Sequence, residues 1–307
     1  MIGNQVALIR RELWEHRAIY VTPVVIALIV SIMAITGQVV VSAFDQAVDI
    51  AILGATNLGE AERSAAISVL MTGVSGLLVL AMWVLTVFYS LDALYAERKD
   101  RSILLWRSLP CTDAETVVSK LLTALVVIPM VTFAVIAVTH LIVLALASIW
   151  LGFQGANVWH LIWRATPFGD NWTGTLVFLL ALPLWLSPFI GWFLFVSAFT
   201  RRSPLLVAFL PIVILPMLEK SLIGTSLFFE ALFVRTGKLP LFRGLSTKDV
   251  LSYDGTGLRF DGDVPSGLLS LLDLSKFFGS PSLWLGLIVC GLFTTAAIYI
   301  RRYRDDS

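Results

Sequence analysis

The chain has 307 residues, 58% of them hydrophobic and 14% charged, with a mean hydropathy of +0.87. Soluble domains carry about a quarter charged residues, so this composition excludes a soluble domain and indicates an all-α integral membrane protein. The net charge of +1, without a basic run or a zinc-type spacing of cysteine and histidine, gives no reason to expect nucleic acid as a partner. Cys111 and Cys290 lie in different kinds of segment, and both are expected to be reduced.

An amphipathic helix is predicted over residues 2–17. Its apolar residues recur at helical spacing on one side and its charged residues fall on the other, namely Ile2, Val6, Ile9 and Leu13 against Arg11, Glu12 and Glu15. Such a helix can lie flat among lipid headgroups, with Arg10, Arg11 and Arg17 facing water or anionic lipid. An ordinary helical lead-in to the first membrane span would fit the same residues.

Six apolar stretches are long enough to cross a bilayer as helices. They cover about residues 18–41, 68–95, 113–150, 174–200, 203–233 and 282–300. The first is longer than the roughly 7–15 apolar residues of a secretory signal, which favours a retained span over a cleaved leader. The third contains Pro129, the residue at which this span would bend if it bends at all.

The end of the fifth span has two interpretations. A span that stops at Leu218 would be about 24 Å long, short of the roughly 30 Å hydrocarbon core. A span that continues to Phe233 is long enough, but it places Glu219 and Lys220 at membrane depth as a charge pair, where ionisable residues usually have a function. In the first case the two side chains meet outer water. Residues 235–281 are polar, contain Asp-Gly turns and are predicted to form an outer loop.

The distribution of lysine and arginine predicts the orientation of the chain. With the N-terminus in the cytoplasm, more than half of these 22 residues lie in the inner segments. The two shorter outer loops then hold only Arg63 and Arg164, in accordance with the positive-inside rule. The predicted topology is therefore one transmembrane domain over residues 1–307, with six spans and both termini cytoplasmic.

The most highly charged part of the first two-thirds of the chain is residues 96–122, between the second and third spans. Residues 97–108 can form a short helix with one apolar side and with basic side chains left for water or an acidic partner. Pro110 ends this helix because it disfavours the helical conformation at Leu109 and has no N–H group. Thr112 and Glu115 form a capping-box signature that starts the third span. Anchoring on the inner side would explain the charges, but not this order of helix, break and capped helix.

The order of residues in this segment resembles the cytoplasmic segment between the second and third spans of type-2 ABC transporter permeases. The similarity lies in Glu97-Arg98, Arg101-Ser102-Ile103, Ser108-Leu109-Pro110-Cys111-Thr112 and Lys120-Leu121. The residues that are similar to the amphipathic elbow helix of the same family include Arg10, Arg11, Glu12, Trp14 and Arg17. As a motif the resemblance covers about residues 10–17 and 92–122, and as architecture it covers the whole chain.

The resemblance implies the membrane subunit of an ABC exporter, with six transmembrane helices, an N-terminal elbow helix and a cytoplasmic coupling helix that seats in a groove of an ATPase. The implied ATPase-coupling residues are Glu97, Arg98, Arg101, Ile103, Leu104, Trp106, Arg107, Ser108, Leu109 and Pro110. The sequence contains no G-x-x-x-x-G-K-[ST] phosphate loop, so ATP and Mg would be bound by a separate cytoplasmic ABC ATP-binding subunit, and this chain would be neither an enzyme nor a cofactor binder. Because such ATPases close in pairs, a second permease chain, identical or homologous, is implied. The implied location is a bacterial inner membrane.

Two other classes of function fit parts of the sequence. Gly73-Val74-Ser75-Gly76 matches the G-x-S-G string of rhomboid-type intramembrane proteases, and His140 on a later span is a candidate base for Ser75. Such strings are also common packing devices in spans, and no second histidine or cysteine lies at metal-ligand spacing from His140, so no metal site is predicted. The other class is a non-catalytic membrane scaffold or channel. The inner spans contain several tryptophans, which favours a lipid-like, peptide or amphipathic cargo over a small ion: Trp83, Trp185 and Trp192.

Overall fold

The computed structural model describes residues 2–35, 60–99, 112–153, 155–237, 239–243, 252–253, 258–259 and 267–303 of the chain. Nearly all of these residues are helical. In chain order the helices are α1 (Ile2–Glu15), α2 (Ala18–Ile35), α3 (Glu60–Asp92), α4 (Tyr95–Lys99), α5 (Asp113–Leu122), α6 (Ile128–Phe153), α7 (Phe168–Trp185), α8 (Ser187–Phe199), α9 (Pro204–Leu222), α10 (Leu227–Gly237), α11 (Leu274–Phe278) and α12 (Pro281–Tyr303). The other described elements are two π-helical turns, Thr123–Val127 and Trp159–Trp163, a 3-10 turn, Leu269–Leu271, and an antiparallel pair of two-residue strands, β1 (Ser252–Tyr253) and β2 (Leu258–Arg259).

Several of these helices can cross a membrane. Four segments are long and apolar enough on their own: Arg63–Lys99, Asp113–Phe153, Pro204–Leu222 and Pro281–Tyr303. Two bent pairs also qualify if each pair counts as one span, namely Asn4–Glu15 with Ala18–Ala34, bent by 54°, and Phe168–Trp185 with Ser187–Phe199, bent by 55°. The chain is therefore a multi-pass, all-helical membrane protein with four to six membrane helices. All six predicted spans overlap these segments, and the fifth differs most from its prediction.

The predicted fifth span, residues 203–233, is wrong in its second half. Helix α9 ends at Leu222, and α10 begins at Leu227 after a turn in which Gly224 has a φ of +76°. This backbone conformation suits glycine, which has no Cβ to clash. With 11 residues, α10 is too short to cross a bilayer, so it is a separate helix and not a continuation of the span.

Local signals in the sequence account for where α5 and α6 begin. The Thr112 hydroxyl accepts a hydrogen bond of 3.2 Å from the Glu115 amide, and the Thr112 amide donates to Oε2 of Glu115 at 3.0 Å. The predicted capping box is therefore confirmed. Between α5 and α6 the Ile128 amide bonds to the Thr123 carbonyl, five residues back, in a wider π-helical turn. This turn directly precedes Pro129, which has no N–H for an α-helical bond, so the irregularity lies beside the predicted bend.

The helices pack around apolar clusters. The largest cluster joins α2, α3, α6, α7 and α8, and its buried members include Ile19, Leu78, Ile136, Leu179 and Ile190. Helices α8 and α12 approach closely because Gly191 has no side chain: a Cβ at this position would lie 2.9 Å from Cα of Cys290. Cys290 is a buried free thiol, as expected, and Cys111 lies outside the described residues.

The predicted outer loop, residues 235–281, contains buried apolar side chains where the structure describes it. In its described part, Leu241 and Phe277 are fully buried in a second apolar cluster together with Trp185. The Asp273 amide donates a hydrogen bond of 2.7 Å to the Leu241 carbonyl, which joins the two ends of this segment. The described part of the segment therefore packs onto the end of α7.

Candidate functional site: a buried ion-pair network

Charged side chains from four helices meet inside the protein at one end of the bundle. This ion-pair network consists of Arg11 and Glu12 from α1, Glu97 from α4, Asp113 and Lys120 from α5, and Arg301 near the end of α12. Glu12, Glu97 and Lys120 are at most 2% exposed. Charged side chains are almost never buried to this degree unless they are paired.

Lys120 lies at the centre of the network. Its Nζ is 2.8 Å from Oε1 of Glu12 and 3.1 Å from Oε1 of Glu97, so one ammonium group joins α5 to both α1 and α4. The other oxygen of Glu12 accepts a hydrogen bond of 2.9 Å from the Tyr89 hydroxyl, and Nε2 of His16 lies 3.8 Å from it. Both oxygens of Glu12 are therefore occupied, which offsets the free-energy cost of removing the carboxylate from water.

Three cations of the described residues contact Glu97. In addition to the ammonium of Lys120, Nη2 of Arg11 lies 3.2 Å from Oε1 and Nη1 of Arg301 lies 2.5 Å from Oε2. Nε of Arg301 in turn donates to Oδ1 of Asp113 at 2.9 Å. A guanidinium suits this position because its fork of N–H donors can bind two carboxylates at once. The last helix is thereby joined to α4 and α5 together.

The burial of these pairs gives them an energetic weight that surface pairs lack. Removing one partner of a buried pair leaves an uncompensated charge and costs about 3–5 kcal/mol. The mostly exposed pair of Glu60 and Arg164, 3.5 Å apart, is expected to contribute about 1 kcal/mol or less. Arg11, for which the sequence predicts contact with water or lipid, is instead half-buried between Glu97 and Glu15, so that prediction is wrong.

Along the sequence, residues of the network come both before and after residues 100–111, which are outside the described residues. Glu97 stands shortly before that segment, and Asp113 and Lys120 stand shortly after it. Both ends of the segment are thus joined through the same buried charges. This arrangement fixes where the chain leaves the bundle and where it returns.

Ser197, near the end of α8, forms a second set of contacts with the start of α4. The amides of Leu94 and Tyr95 donate to the Ser197 hydroxyl at 3.0 and 2.9 Å. Arg98, one of the predicted coupling residues, donates to the carbonyls of Ser197 and Thr200. Carbonyls at the end of a helix lack intrahelical partners, so the guanidinium satisfies them. Helix α4 is therefore attached to α8 as well as to α1, α5 and α12.

Two of the ten predicted ATPase-coupling residues lie in the described part of the chain. Both Glu97 and Arg98 make contacts inside the protein, which assigns them an anchoring role. The other eight lie outside the described residues and remain predictions: Arg101, Ile103, Leu104, Trp106, Arg107, Ser108, Leu109 and Pro110.

Helix α1 agrees with its prediction in part. Arg10 and Arg17 are exposed, as expected. Trp14 is exposed as well, and the Arg10 guanidinium lies 4.8 Å from the centre of its ring. Glu12, which the helical pattern assigns to the polar side, is 1% exposed, so this assignment is wrong. The pattern treats every charge as facing water. The signal for a buried partner is Lys120, a lone lysine at the apolar start of the third span, which requires a carboxylate.

Within the described residues, Glu219 and Lys220 do not form the charge pair that one interpretation of the sequence predicts. The Glu219 carboxylate accepts hydrogen bonds from the Thr225 hydroxyl at 2.8 Å and from the amides of Leu227 and Phe228 at 2.8 and 2.9 Å. These amides are the unpaired donors at the start of α10, where a negative charge is also favoured by the helix dipole. Glu219 therefore caps α10.

Ser75 and His140, the candidate hydrolase pair, are in contact, and the Met71 carbonyl lies within hydrogen-bond distance of both. Ser75 Oγ lies 3.2 Å from Nε2 of His140, and both side chains are at most 4% exposed. The Met71 carbonyl lies 3.0 Å from Ser75 Oγ and 2.9 Å from the same Nε2. A carbonyl only accepts, so Nε2 carries the proton there and cannot also receive the proton of Ser75. Nδ1 of His140, which an orienting group would hold, is buried without a hydrogen-bond partner among the described residues.

The fold and the network define a multi-pass helical membrane protein whose helices are joined at one end by buried charges. Among the described residues, no group of three or more histidine, cysteine, aspartate or glutamate side chains is placed to hold a metal ion. A comparison of the chain with protein-family models found no match, and comparisons with curated proteins and with solved structures found none either. The resemblance to a transporter family therefore rests on the motif residues and on the predicted order of elbow helix, spans and outer loop.

Proposed function

We propose that this chain is the membrane subunit of an ATP-driven exporter and that the segment after Arg98, up to Pro110, docks on a separate cytoplasmic ABC ATP-binding subunit. The observation that supports this most directly is the anchoring of both ends of that segment in one buried network, through Glu97 on one side and Lys120 on the other. A loop that only connects two spans needs no such support. A segment that receives force from a partner needs its ends fixed to the helices that must move.

Fixed ends allow the docked segment to act as a rigid lever. When two ATP-binding subunits close around nucleotide, the segment moves with them. Lys120 and Arg301 then transmit the displacement to α1, α5 and α12, because charge-assisted hydrogen bonds between buried groups are short and strong. The helices tilt together as a body, which is a recurrent way of coupling a closing partner to a membrane pathway.

The proposed topology has six spans, with both termini and the ion-pair network on the cytoplasmic side. Arg201 and Arg202 follow the helix end that binds Arg98, and Arg302 follows Arg301, so several basic residues gather at this end of the bundle. Their position agrees with the positive-inside rule for a cell membrane such as a bacterial inner membrane. Helix α1 suits the role of an elbow helix in the headgroup region because it makes a 54° bend with α2.

Helix α9 is the surface that we assign to a second permease chain. Of its 19 residues, all of which the structure describes, only Ala208 is buried. Its exposed apolar side chains include Leu206, Leu210, Val213 and Met217. An apolar helix with so little contact to its own chain is covered either by lipid or by another protein. In an exporter whose ATP-binding subunits close in pairs, two membrane chains have to meet, and α9 offers the surface.

The test is co-expression of the chain with the ATP-binding subunit that we expect a neighbouring gene to encode, followed by purification in detergent. We expect a stable complex that is weakened by Arg101→Glu and by Trp106→Ala while the helical content of the chain is unchanged. Trp159→Ala is the matched control, since Trp159 is exposed on a different connecting segment. A chain that binds no such subunit, or a complex that tolerates both substitutions, would refute the proposal. ATP-independent flux through the chain alone in vesicles would favour a channel.

An intramembrane serine hydrolase is the second candidate function. The 3.2 Å contact between Ser75 and His140 favours it, and the proton that the Met71 carbonyl requires on Nε2 opposes it. The test is labelling of the purified chain by a fluorophosphonate, a reagent that reacts with activated serines. Labelling that disappears in Ser75→Ala would support the hydrolase over the exporter, whereas an unlabelled chain would exclude it.

A further inference from the structure

A cleft of about 350 Å³ lies beside the ion-pair network, between the start of α2, the end of α3 and the start of α9. Its walls are mostly apolar and include Ile19 and Leu85. Small-molecule sites typically have volumes of roughly 300–1,000 Å³, so the cleft is large enough for a compact ligand. Tyr89 and His16 line the cleft and also contact Glu12, so one wall of the cleft is continuous with the network.

Aromatic rings form much of the remaining lining. Phe88, Tyr89, Tyr95 and His16 all contribute to it, and the rings of His16 and Tyr89 pack edge to face with centroids 5.0 Å apart. The hydrogen bond from Tyr89 to Glu12 fixes one of these rings in place. The faces of aromatic rings carry partial negative charge and attract cations. The lining therefore favours a ligand with a positive charge or with rings of its own.

Among the described residues that line the cleft, Asp92 is the one acidic residue and none is a lysine or an arginine. Its side chain is exposed and makes no hydrogen bond or ion pair within the part of the chain that the structure describes. Arg98, the nearest guanidinium along the chain, donates to the carbonyls of Ser197 and Thr200. The cleft thus combines an apolar wall, aromatic faces and a carboxylate that is available to a ligand.

We propose that this cleft binds an amphipathic organic cation, a compound with a hydrocarbon or ring-containing body and one positive charge. The apolar walls and the rings hold the body, and Asp92 together with the ring faces holds the charge. Asp92 repels an anion of the same shape, and an uncharged hydrocarbon ligand makes no charge contact with Asp92. Binding is a property of this chain alone, so its test does not depend on whether an ATP-binding subunit is found.

The experiment uses two probes of nearly the same shape and opposite charge, tetraphenylphosphonium and tetraphenylborate. The full chain in phosphatidylcholine nanodiscs is titrated with each probe by equilibrium dialysis, and binding to empty nanodiscs is subtracted. We expect saturable binding of the phosphonium and much weaker binding of the borate. Asp92→Asn should weaken phosphonium binding about tenfold, as expected for the loss of one charge contact near the protein surface. Glu60→Gln removes the same charge from the other end of α3 and should change nothing.

Two further variants locate the binding site within the cleft. Leu85→Trp should fill the cleft and abolish saturable binding. Phe88→Ala should weaken binding several-fold without a risk to folding, because Phe88 is 56% exposed. The proposal is overturned if the wild-type chain does not bind the phosphonium, if the borate binds as tightly, or if Asp92→Asn has no effect. A phospholipid that remains in the cleft after purification, is lost in Leu85→Trp and is not displaced by the phosphonium would also overturn it.

Discussion

Replacing Lys120 by methionine tests the ion-pair network most directly. Methionine keeps a long apolar side chain but removes the ammonium that lies 2.8 Å from Glu12 and 3.1 Å from Glu97. Glu97 keeps two arginine partners. Glu12 keeps, among the described residues, the hydroxyl of Tyr89 and the more distant imidazole of His16. The main cost therefore falls on Glu12, which has almost no access to water.

The size of the effect follows from the burial of Lys120. Its side chain is 0% exposed and both of its charge contacts are lost, so we expect Lys120→Met to lower the free energy of unfolding by about 3–5 kcal/mol. Lys220→Met is the matched control because Lys220 is exposed in a similarly apolar helix, and it should change stability by about 0.5 kcal/mol or less. A double variant combines Lys120→Met with Glu12→Gln, which removes the carboxylate charge left without its ammonium partner. Its loss of unfolding free energy should be smaller than the sum of the losses in the two single variants.

The assay is reversible unfolding of the purified chain in detergent micelles by increasing fractions of sodium dodecyl sulfate, followed by far-ultraviolet circular dichroism. The wild-type chain is compared under the same conditions with four variants: Lys120→Met, Lys220→Met, Glu12→Gln and the double variant Lys120→Met with Glu12→Gln. A loss of less than about 1 kcal/mol for Lys120→Met would show that the buried pair does not stabilise the bundle as its geometry indicates. Strict additivity of the two single substitutions would show that Glu12 and Lys120 are not energetically coupled.

The same unfolding assay tests two further contacts, and hydrogen exchange tests a third. Gly191→Ala should destabilise the chain by about 1–3 kcal/mol, because the new Cβ would lie 2.9 Å from Cα of Cys290, whereas Gly76→Ala, with nothing within 4 Å, should be tolerated. Thr112→Ala should lower the free energy of unfolding by about 1 kcal/mol through loss of the cap of α5. An unfolding midpoint equal to that of the wild-type chain would contradict the capping role. Glu219→Gln should accelerate amide exchange at the start of α10 and leave the other helices unchanged, since its carboxylate accepts from two amides there.

Features that depend on residues close in sequence were predictable. The capping box of Thr112 and Glu115 needs only two residues three positions apart, and the structure contains it. The apolar runs predict membrane helices because the hydrocarbon core requires about 20 apolar residues in a row. The end of α9 was harder to predict from the sequence, since a single glycine, Gly224, sets the turn after it and hydropathy alone does not distinguish a turn from a continuing span.

Features that depend on packing between distant helices were not predictable in the same way. Glu12 and Lys120 are 108 residues apart, and nothing local to either one identifies the other as its partner. Periodicity assigns Glu12 to the polar side of α1 because it assumes that charges face water. The contact of Ser75 with His140 was proposed from residue types, but the Met71 carbonyl that decides its chemistry is a backbone atom that carries no sequence signal.

Arg301 has a consequence for how this chain is made. It lies 204 residues after Glu97, in helix α12. Glu12, Glu97 and Lys120 can meet as soon as the first half of the chain is synthesised, but Asp113 and the second oxygen of Glu97 receive their arginine only when α12 is complete. The network is therefore assembled in two steps during synthesis, the second of which requires α12. A chain truncated before α12 would lack the guanidinium that joins α4 to α5, a defect by which cellular quality control could recognise it.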